Sequence, residues 1–153
     1  MNKILAVLGA SLVCSSVSAS VMTIDTRSIT GSIDDTDFIS SWNAQTSTIN
    51  SSSLSDFNMY NSGNNSISHL TVDFAVASNG TFGFQAGLDA GYGAAFYLDD
   101  VLIENRTDDL WWGYNWNNSD VMTSLSNILS AGDHTLDVYW AEGCCNGASS
   151  LRY

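Results

Sequence analysis

Two adjacent cysteines near the carboxyl end are the most chemically specific feature of the chain. Cys144 and Cys145 stand between Gly143 and Gly147. Adjacent thiols in an oxidising compartment can close a small disulfide ring, and the flanking glycines would tolerate its distorted backbone. Three roles stay open for the pair: a structural clip on the loop, an apolar ring that faces a ligand beside Glu142, or a bond to another chain.

A second unusual stretch is rich in tryptophan and asparagine and runs from Trp111 to Asn118. Aromatic rings stack on the apolar face of a pyranose while polar side chains bind its hydroxyls, so this composition favours sugar recognition. In a strand, Trp112, Tyr114 and Trp116 would share one face. Leu110 would lie on the same face, so that face could equally belong to the core. Both interpretations stay open, with Trp112 and Trp116 as the ligand-binding candidates.

The charge of the chain excludes one class of partner. Asp and Glu number 16 against four Lys and Arg, which gives a net charge of −12. Such a surface repels phosphate backbones and anionic lipid, so we predict no nucleic-acid partner. Neither His69 nor His134 has a nucleophile near it in the sequence, and the histidines and cysteines lack the spacing of a zinc motif. We therefore predict a protein that is not an enzyme.

The amino-terminal residues have the pattern of a secretory signal peptide. Lys3 supplies a positive charge, Ile4 to Val13 is a short apolar run, and Val17 and Ala19 suit positions −3 and −1 of a cleavage site. A membrane span needs about 20 apolar residues, roughly twice the length of this run. We predict a signal peptide over residues 1–19, a secreted protein at the cell surface or in the periplasm, and no membrane span in the mature chain.

The first elements of the mature chain are a strand, a helix and a loop. Val21 to Arg27 alternates as a half-buried strand does. A short helix is predicted within 34–45, with Asp34 or Asp35 as its N-cap and an apolar face formed by Phe38, Ile39 and Trp42. Residues 46–68 are mostly Ser, Asn and Thr, which predicts a long polar loop.

From His69 onward the apolar residues recur with a period of two. Asn79-Gly80 predicts a hairpin between two such runs, and Asp99-Asp100 predicts a second hairpin. Further strands are expected over 134–140 and 149–153, with Trp42 and Trp140 in the core. Many short strands with polar connections indicate one all-β domain over 20–153, an antiparallel β-sandwich with a jelly-roll-like arrangement and one short helix.

Three segments resemble the protective-antigen-type β-sandwich, a domain shared by toxins, glycosidases and yeast adhesins. They are Gly80 to Gly91, Ala95 to Ile103 and Leu129 to Glu142. The stretch from Ala141 to Ser150 resembles the CCXG family of exported bacterial proteins, many of which end in a PEP-CTERM sorting tail. The two resemblances imply a secreted protein with a sandwich fold of the lectin or adhesin type.

The adhesin relatives of this sandwich also imply a metal site. In them two consecutive Asp residues hold a calcium ion, an Asn on a loop near the last strands completes the site, and the ion binds sugar hydroxyls. The matching positions here are Asp89, Ala90 and Asn146, so the resemblance implies calcium at Asp89 and Asn146 with the second Asp replaced. The Asp99-Asp100 pair aligns with a hairpin turn of the family and is an ordinary turn former.

Two functions follow from these observations. The first is a secreted carbohydrate-binding module or adhesin, calcium-assisted as the resemblance implies, with glycans or cell-surface polysaccharide as partners. Its expected ligand-binding residues are Asp89, Trp112, Trp116, Glu142 and Asn146. The second is a structural component of an extracellular matrix or surface layer that binds no small ligand.

Overall fold

The computed structural model of the protein describes residues 17–145 and 147–153. The predicted leader up to residue 16 and Asn146 lie outside the described residues. The elements of the described chain are β1 (Val17–Ser28), α1 (Phe38–Ala44), β2 (Asn50–Leu54), β3 (Ser66–Val76), β4 (Gly80–Gly87), β5 (Asp89–Ala90), β6 (Ala94–Leu98), β7 (Val101–Arg106), β8 (Leu110–Trp111), β9 (Met122–Leu129), β10 (Gly132–Glu142) and β11 (Ser150–Arg152). In this part of the chain, none of the helical structure has the length and apolar character needed to cross a membrane.

The strands form two principal sheets with antiparallel pairing throughout. The large sheet has the order β2-β1-β3-β10-β6-β7, and the small sheet has the order β11-β4-β9. A third, two-stranded pairing joins β5 to β8. This confirms the predicted fold class, an all-β antiparallel sandwich with one short helix.

The core between the two sheets follows the period-two pattern of the sequence. Along β10, Leu136, Val138 and Trp140 are each fully buried and face the small sheet. Phe84 of β4 and Met122 of β9 belong to the same cluster. Side chains of a strand alternate between its faces, so the intervening residues of β10 point to the opposite side of the large sheet.

Helix α1 covers that opposite side. Phe38 is fully buried and Trp42 is 8% exposed, and both pack with Tyr139 of β10. Ile39 is 39% exposed, so the predicted apolar face is narrower than the sequence suggested. The guanidinium of Arg27 on β1 donates to carbonyls after the helix and lies over the Trp42 ring at 5.1 Å, which fixes α1 to the sheet.

The helix begins later than predicted. Its N-cap is Asp37, whose carboxylate accepts from the backbone N–H of Ser40 at 2.9 Å. The predicted caps, Asp34 and Asp35, were wrong. Asp34 instead accepts from Thr36 and closes a separate turn, because an Asp side chain satisfies a turn as readily as a helix end.

The hairpin predicted around Asn79-Gly80 does not form. β3 pairs with β1 and β10, whereas β4 pairs with β9 and β11, so the connection carries the chain from the large sheet to the small one. Two strands that face each other across a core show the same alternation as two strands that pair, so the pattern did not distinguish the cases. The Asn79 side chain accepts from the N–H of Ala131 at 2.8 Å and holds this connection.

The predicted loop over 46–68 is interrupted by a strand. β2 pairs with β1, with Leu54 opposite Met22 and Asn50 opposite Thr26. It is an edge strand with almost wholly exposed side chains, so it carries no apolar alternation for the sequence to reveal. The hairpin predicted at Asp99-Asp100 is confirmed by the pairing of β6 with β7, and both residues have the positive φ of a tight hairpin turn.

Candidate functional site

A pocket of about 670 Å³ lies where β5, β8 and the end of β10 meet. Asp89 of β5 stands opposite Trp111 of β8, and Ala90 stands opposite Leu110. Ala90 and Leu110 are fully buried in the core. Neighbouring residues of a strand point to opposite sides, so Asp89 and Trp111 face outward into the pocket.

Three kinds of side chain line this pocket. They are the carboxylates of Asp89, Asp109 and Glu142, the aromatic rings of Tyr92 and Trp111, and the disulfide of Cys144 and Cys145. Trp111 is 44% exposed and Tyr92 is 42% exposed, so each side chain is partly accessible from solvent. The combination of flat apolar rings with hydrogen-bond acceptors suits a ligand with both apolar faces and hydroxyl groups.

Glu142 forms the floor of the pocket and is 4% exposed. One carboxylate oxygen accepts from the backbone N–H of Gly91 at 2.9 Å, and the other accepts from that of Cys144 at 2.6 Å. Burial raises the pKa of Glu142, the two backbone N–H groups oppose that rise, and the charges of Asp89 and Asp109 add to it. Glu142 thus ties the loop of β5 to the cysteine loop.

Tyr92 is placed by the same strand end. Its backbone N–H donates to the carbonyl of Ala141 at 3.1 Å, next to Glu142 in the chain. Gly93 follows with a φ of +85°, and a Cβ at that position would overlap the backbone of Arg106. The glycine is therefore required for the turn that holds the Tyr92 ring at the rim.

Gly147 lets the cysteine loop approach the opposite wall. Its N–H donates to the Asp89 carboxylate, and a Cβ there would overlap the ring of Trp111 and lie 2.6 Å from an Asp89 oxygen. A side chain at Gly147 would therefore displace one of these groups. Asp89 consequently has a structural role in addition to facing the pocket.

The structure closes Cys144 and Cys145 into the internal ring. Both residues are exposed at the rim, and Cys145 has the positive φ, +73°. Gly143 and Gly147 were expected to accommodate the distorted backbone, but neither has a positive φ. Gly147 is needed for space rather than for its backbone conformation.

Trp112 does not face the pocket. It is 2% exposed, its ring lies where a Cβ on Gly87 would be, and its indole N–H donates to the carbonyl of Ala148 at 2.8 Å. The strand assumed for this segment ends at Trp111, and Gly113 and Tyr114 both have a φ of +58°. The expected common face of alternating aromatic residues is therefore absent here.

Trp116 also lies away from the pocket lining. Its ring centre is 4.9 Å from that of Trp112, and the Arg152 guanidinium lies 4.3 Å above the Trp116 ring. These contacts hold Trp116 on the outside of the core. Of the expected ligand-binding residues in the described chain, the structure brings together only Asp89 and Glu142 at the pocket.

Sequence reasoning missed Tyr92, Asp109 and Trp111. A signal for two of them was present, because Asp109 and Trp111 flank the buried Leu110 and alternation places both on the face opposite to it. A period of two that starts at Trp112 selects the buried face instead. Tyr92 carried no comparable signal, since its position depends on the turn at Gly93.

The structure describes only part of the calcium site that the resemblance implies. Calcium takes six to eight oxygen ligands, whereas one Asp89 oxygen already accepts from Gly147 and Ala90 supplies no carboxylate. Within residues 17–145 and 147–153, no three His, Cys, Asp or Glu side chains are arranged to hold a metal ion. Asn146, the other expected ligand, lies outside the described residues.

No family model and no curated protein sequence matches the chain. Among solved structures, the β-glucosidase from Kluyveromyces marxianus in complex with glucose matches 86% of this chain with a TM-score of 0.55 and 14% identity. The GH31 α-xylosidase from Xanthomonas citri matches 88% with a TM-score of 0.47 and 13% identity. This chain spans 15% of each of those proteins. The first match shows that the sandwich fold also occurs as a small part of a larger protein.

Proposed function

We propose that the protein is a secreted, non-catalytic carbohydrate-binding module and that the pocket beside Trp111 is its binding site. The observation that carries the proposal is the partly exposed Trp111 ring, which lines one cavity together with three carboxylates. An indole stacks on the apolar face of a sugar ring, while carboxylate oxygens accept hydrogen bonds from its hydroxyls. The resemblance to protective-antigen-type adhesins and the likeness in fold to part of a β-glucosidase support the same class of ligand.

The proposal assigns binding rather than hydrolysis to these carboxylates. Both oxygens of Glu142 already accept from backbone N–H groups, and Asp89 anchors Gly147. Glu142 and Asp89 are therefore held as fixed acceptors and structural ties. The signal-peptide pattern at residues 1–19 supports secretion, which places the pocket where extracellular polysaccharide is accessible.

A glycan array probed with calcium and again with a chelator tests the proposal. We expect binding to a restricted set of glycans, and we expect Trp111→Ala to abolish it because the stacking surface is removed. Tyr153→Ala is the matched control, since Tyr153 is an exposed aromatic residue, 61% accessible, outside this pocket. Absence of binding to every glycan in both conditions would refute the proposal, as would equal loss in the two variants.

A structural role in a matrix or surface layer is the second candidate, and one observation favours it. β2 lies at the edge of the large sheet, is uncharged, and exposes Ser51, Ser52 and Ser53 to solvent. An uncharged open edge is a template for pairing with another chain. Sedimentation velocity distinguishes the candidates: concentration-dependent assembly that Ser52→Lys abolishes would support the structural role, and a monomer at all concentrations would oppose it.

A further inference from the structure

Among the residues that the structure describes, no basic side chain lines the pocket beside its carboxylates. Asp89, Asp109 and Glu142 line the same cavity, and Glu142 is buried at its floor. Grouping like charges around a buried carboxylate is unfavourable unless a positive group accompanies them. Burial raises the pKa of Glu142, the backbone N–H groups of Gly91 and Cys144 oppose that rise, and the charges of the other two carboxylates add to it.

The three arginines of the described chain are held elsewhere. Arg27 donates to backbone carbonyls at the end of α1, Arg106 donates to Asp108 at 2.7 Å, and Arg152 donates to Gln85 at 2.9 Å. The described residues contain no lysine. Within the described residues, no lysine or arginine therefore supplies a positive group to this pocket, and a cationic ligand would supply one.

The aromatic walls favour the same kind of ligand. The faces of Trp111 and Tyr92 attract cations as well as stacking on sugar rings. An ammonium group on a sugar would donate to the carboxylates while its ring lay against the indole. A uronic or sialic acid would instead bring a fourth negative charge among the three carboxylates.

We propose that the ligand is an amino sugar, a hexosamine unit with a free, protonated amine, bound with its ammonium among Asp89, Asp109 and Glu142. This inference rests on the proposed function, because it specifies the glycan that the same pocket takes. The inference predicts that the free amino sugar binds more tightly than its N-acetylated form. N-acetylation removes the positive charge and adds bulk at the same carbon.

Calorimetric titration with matched tetramers tests the inference. The probes are β-1,4-linked tetramers of glucosamine, N-acetylglucosamine and glucose, titrated in chelator at a pH where the amine is protonated. We expect the glucosamine tetramer to bind at least tenfold more tightly than either neutral tetramer. We also expect Asp109→Asn to weaken its binding about fivefold, the size expected for losing one partly exposed ion pair.

Asp133→Asn is the control for attraction to the overall negative charge. Asp133 is exposed and lies at the far end of β10 from Glu142, roughly 30 Å away at about 3.3 Å per residue and beyond the Debye length of about 8 Å. We expect this variant to bind the glucosamine tetramer as the parent does. Equal weakening by the two substitutions would overturn the inference.

Other outcomes separate this inference from the proposed function. Neutral tetramers that bind as tightly as the amine, with loss in Trp111→Ala, would overturn the amino-sugar assignment and support carbohydrate binding. If added calcium makes a neutral tetramer the tightest ligand, the amino-sugar assignment is likewise overturned and carbohydrate binding is supported. If the glucosamine tetramer produces no heat of binding, the amino-sugar inference is overturned but the proposed function is not. The proposed function is refuted only if the glycan array also shows no binding.

Discussion

Alanine replacement of two adjacent tryptophans should have different consequences for folding and for binding. Trp112 is 2% exposed and donates a hydrogen bond to Ala148, whereas Trp111 is 44% exposed at the pocket. Trp112→Ala leaves a cavity in the core and an unsatisfied carbonyl. Trp111→Ala removes a ring that is already partly in water, so we expect the protein to stay folded and lose glycan binding.

The structure gives the size of the difference. Replacing a fully buried Trp by Ala costs about 3–5 kcal/mol, which is a large part of the 5–15 kcal/mol that typically stabilises a domain. Full burial of a large apolar side chain contributes about 1.5–3 kcal/mol, and scaling this by the buried part of Trp111 gives a cost of about 1–1.5 kcal/mol. The free energies of unfolding of the two variants should therefore differ by about 2–3 kcal/mol.

Urea unfolding followed by far-ultraviolet circular dichroism measures this difference. With a slope of about 2 kcal/mol per molar urea, the midpoint of Trp112→Ala should lie about 1 M below that of Trp111→Ala. Trp112→Phe provides a milder variant, which keeps a ring in the core and should fall between Trp112→Ala and the parent. Equal midpoints for the two alanine variants, or a lower one for Trp111→Ala, would refute the assignment of the two rings to opposite faces.

Three further predictions follow from single contacts. Gly147→Ala should destabilise the protein by about 1–3 kcal/mol in urea, because its Cβ overlaps the pocket wall, whereas Gly31→Ala, with only ordinary contacts, should not. The Ser130 carbonyl and the Asp99 carboxylate raise the pKa of His134 above 6.5. The stabilisation of the folded protein by these two contacts is therefore complete below about pH 6.5, and it is lost as pH rises through the higher pKa of folded His134. The melting temperature should fall over that range, and His134→Gln should make the fall smaller. Asp89→Ala should leave any change of melting temperature with calcium as it is in the parent, and a response abolished by this variant would identify Asp89 as a metal ligand.

Side-chain alternation was sufficient to predict most strands and the fold class. In β10, Leu136, Val138 and Trp140 alternate over a long run, and a long run has one self-consistent buried face. Alternation says nothing about which strands are neighbours, which is why β3 and β4 were paired wrongly. It is also silent about β2, whose pairing with β1 uses only backbone groups.

The site was only partly predictable for a related reason. Glu142 and the cysteine pair lie within four consecutive residues, so their proximity followed from the chain itself. Trp111 and Trp112 could not be assigned to faces from their own segment, because β8 has only two residues and turns follow it. The preference for Trp111 in the pocket comes from its register opposite Asp89, which is a tertiary contact.

Mapping a bound glycan by NMR tests the central claim most directly. The tightest ligand from the array is titrated into ¹⁵N-labelled protein, and the shifts of backbone amides and indole N–H groups are followed. We predict that the largest changes fall at the amides of Gly91 and Cys144 and at the indole of Trp111, while the amides of Gly132 and Asp133 at the far end of β10 stay unchanged. Changes centred on any other surface, with the Gly91 and Trp111 signals unmoved, would contradict the account.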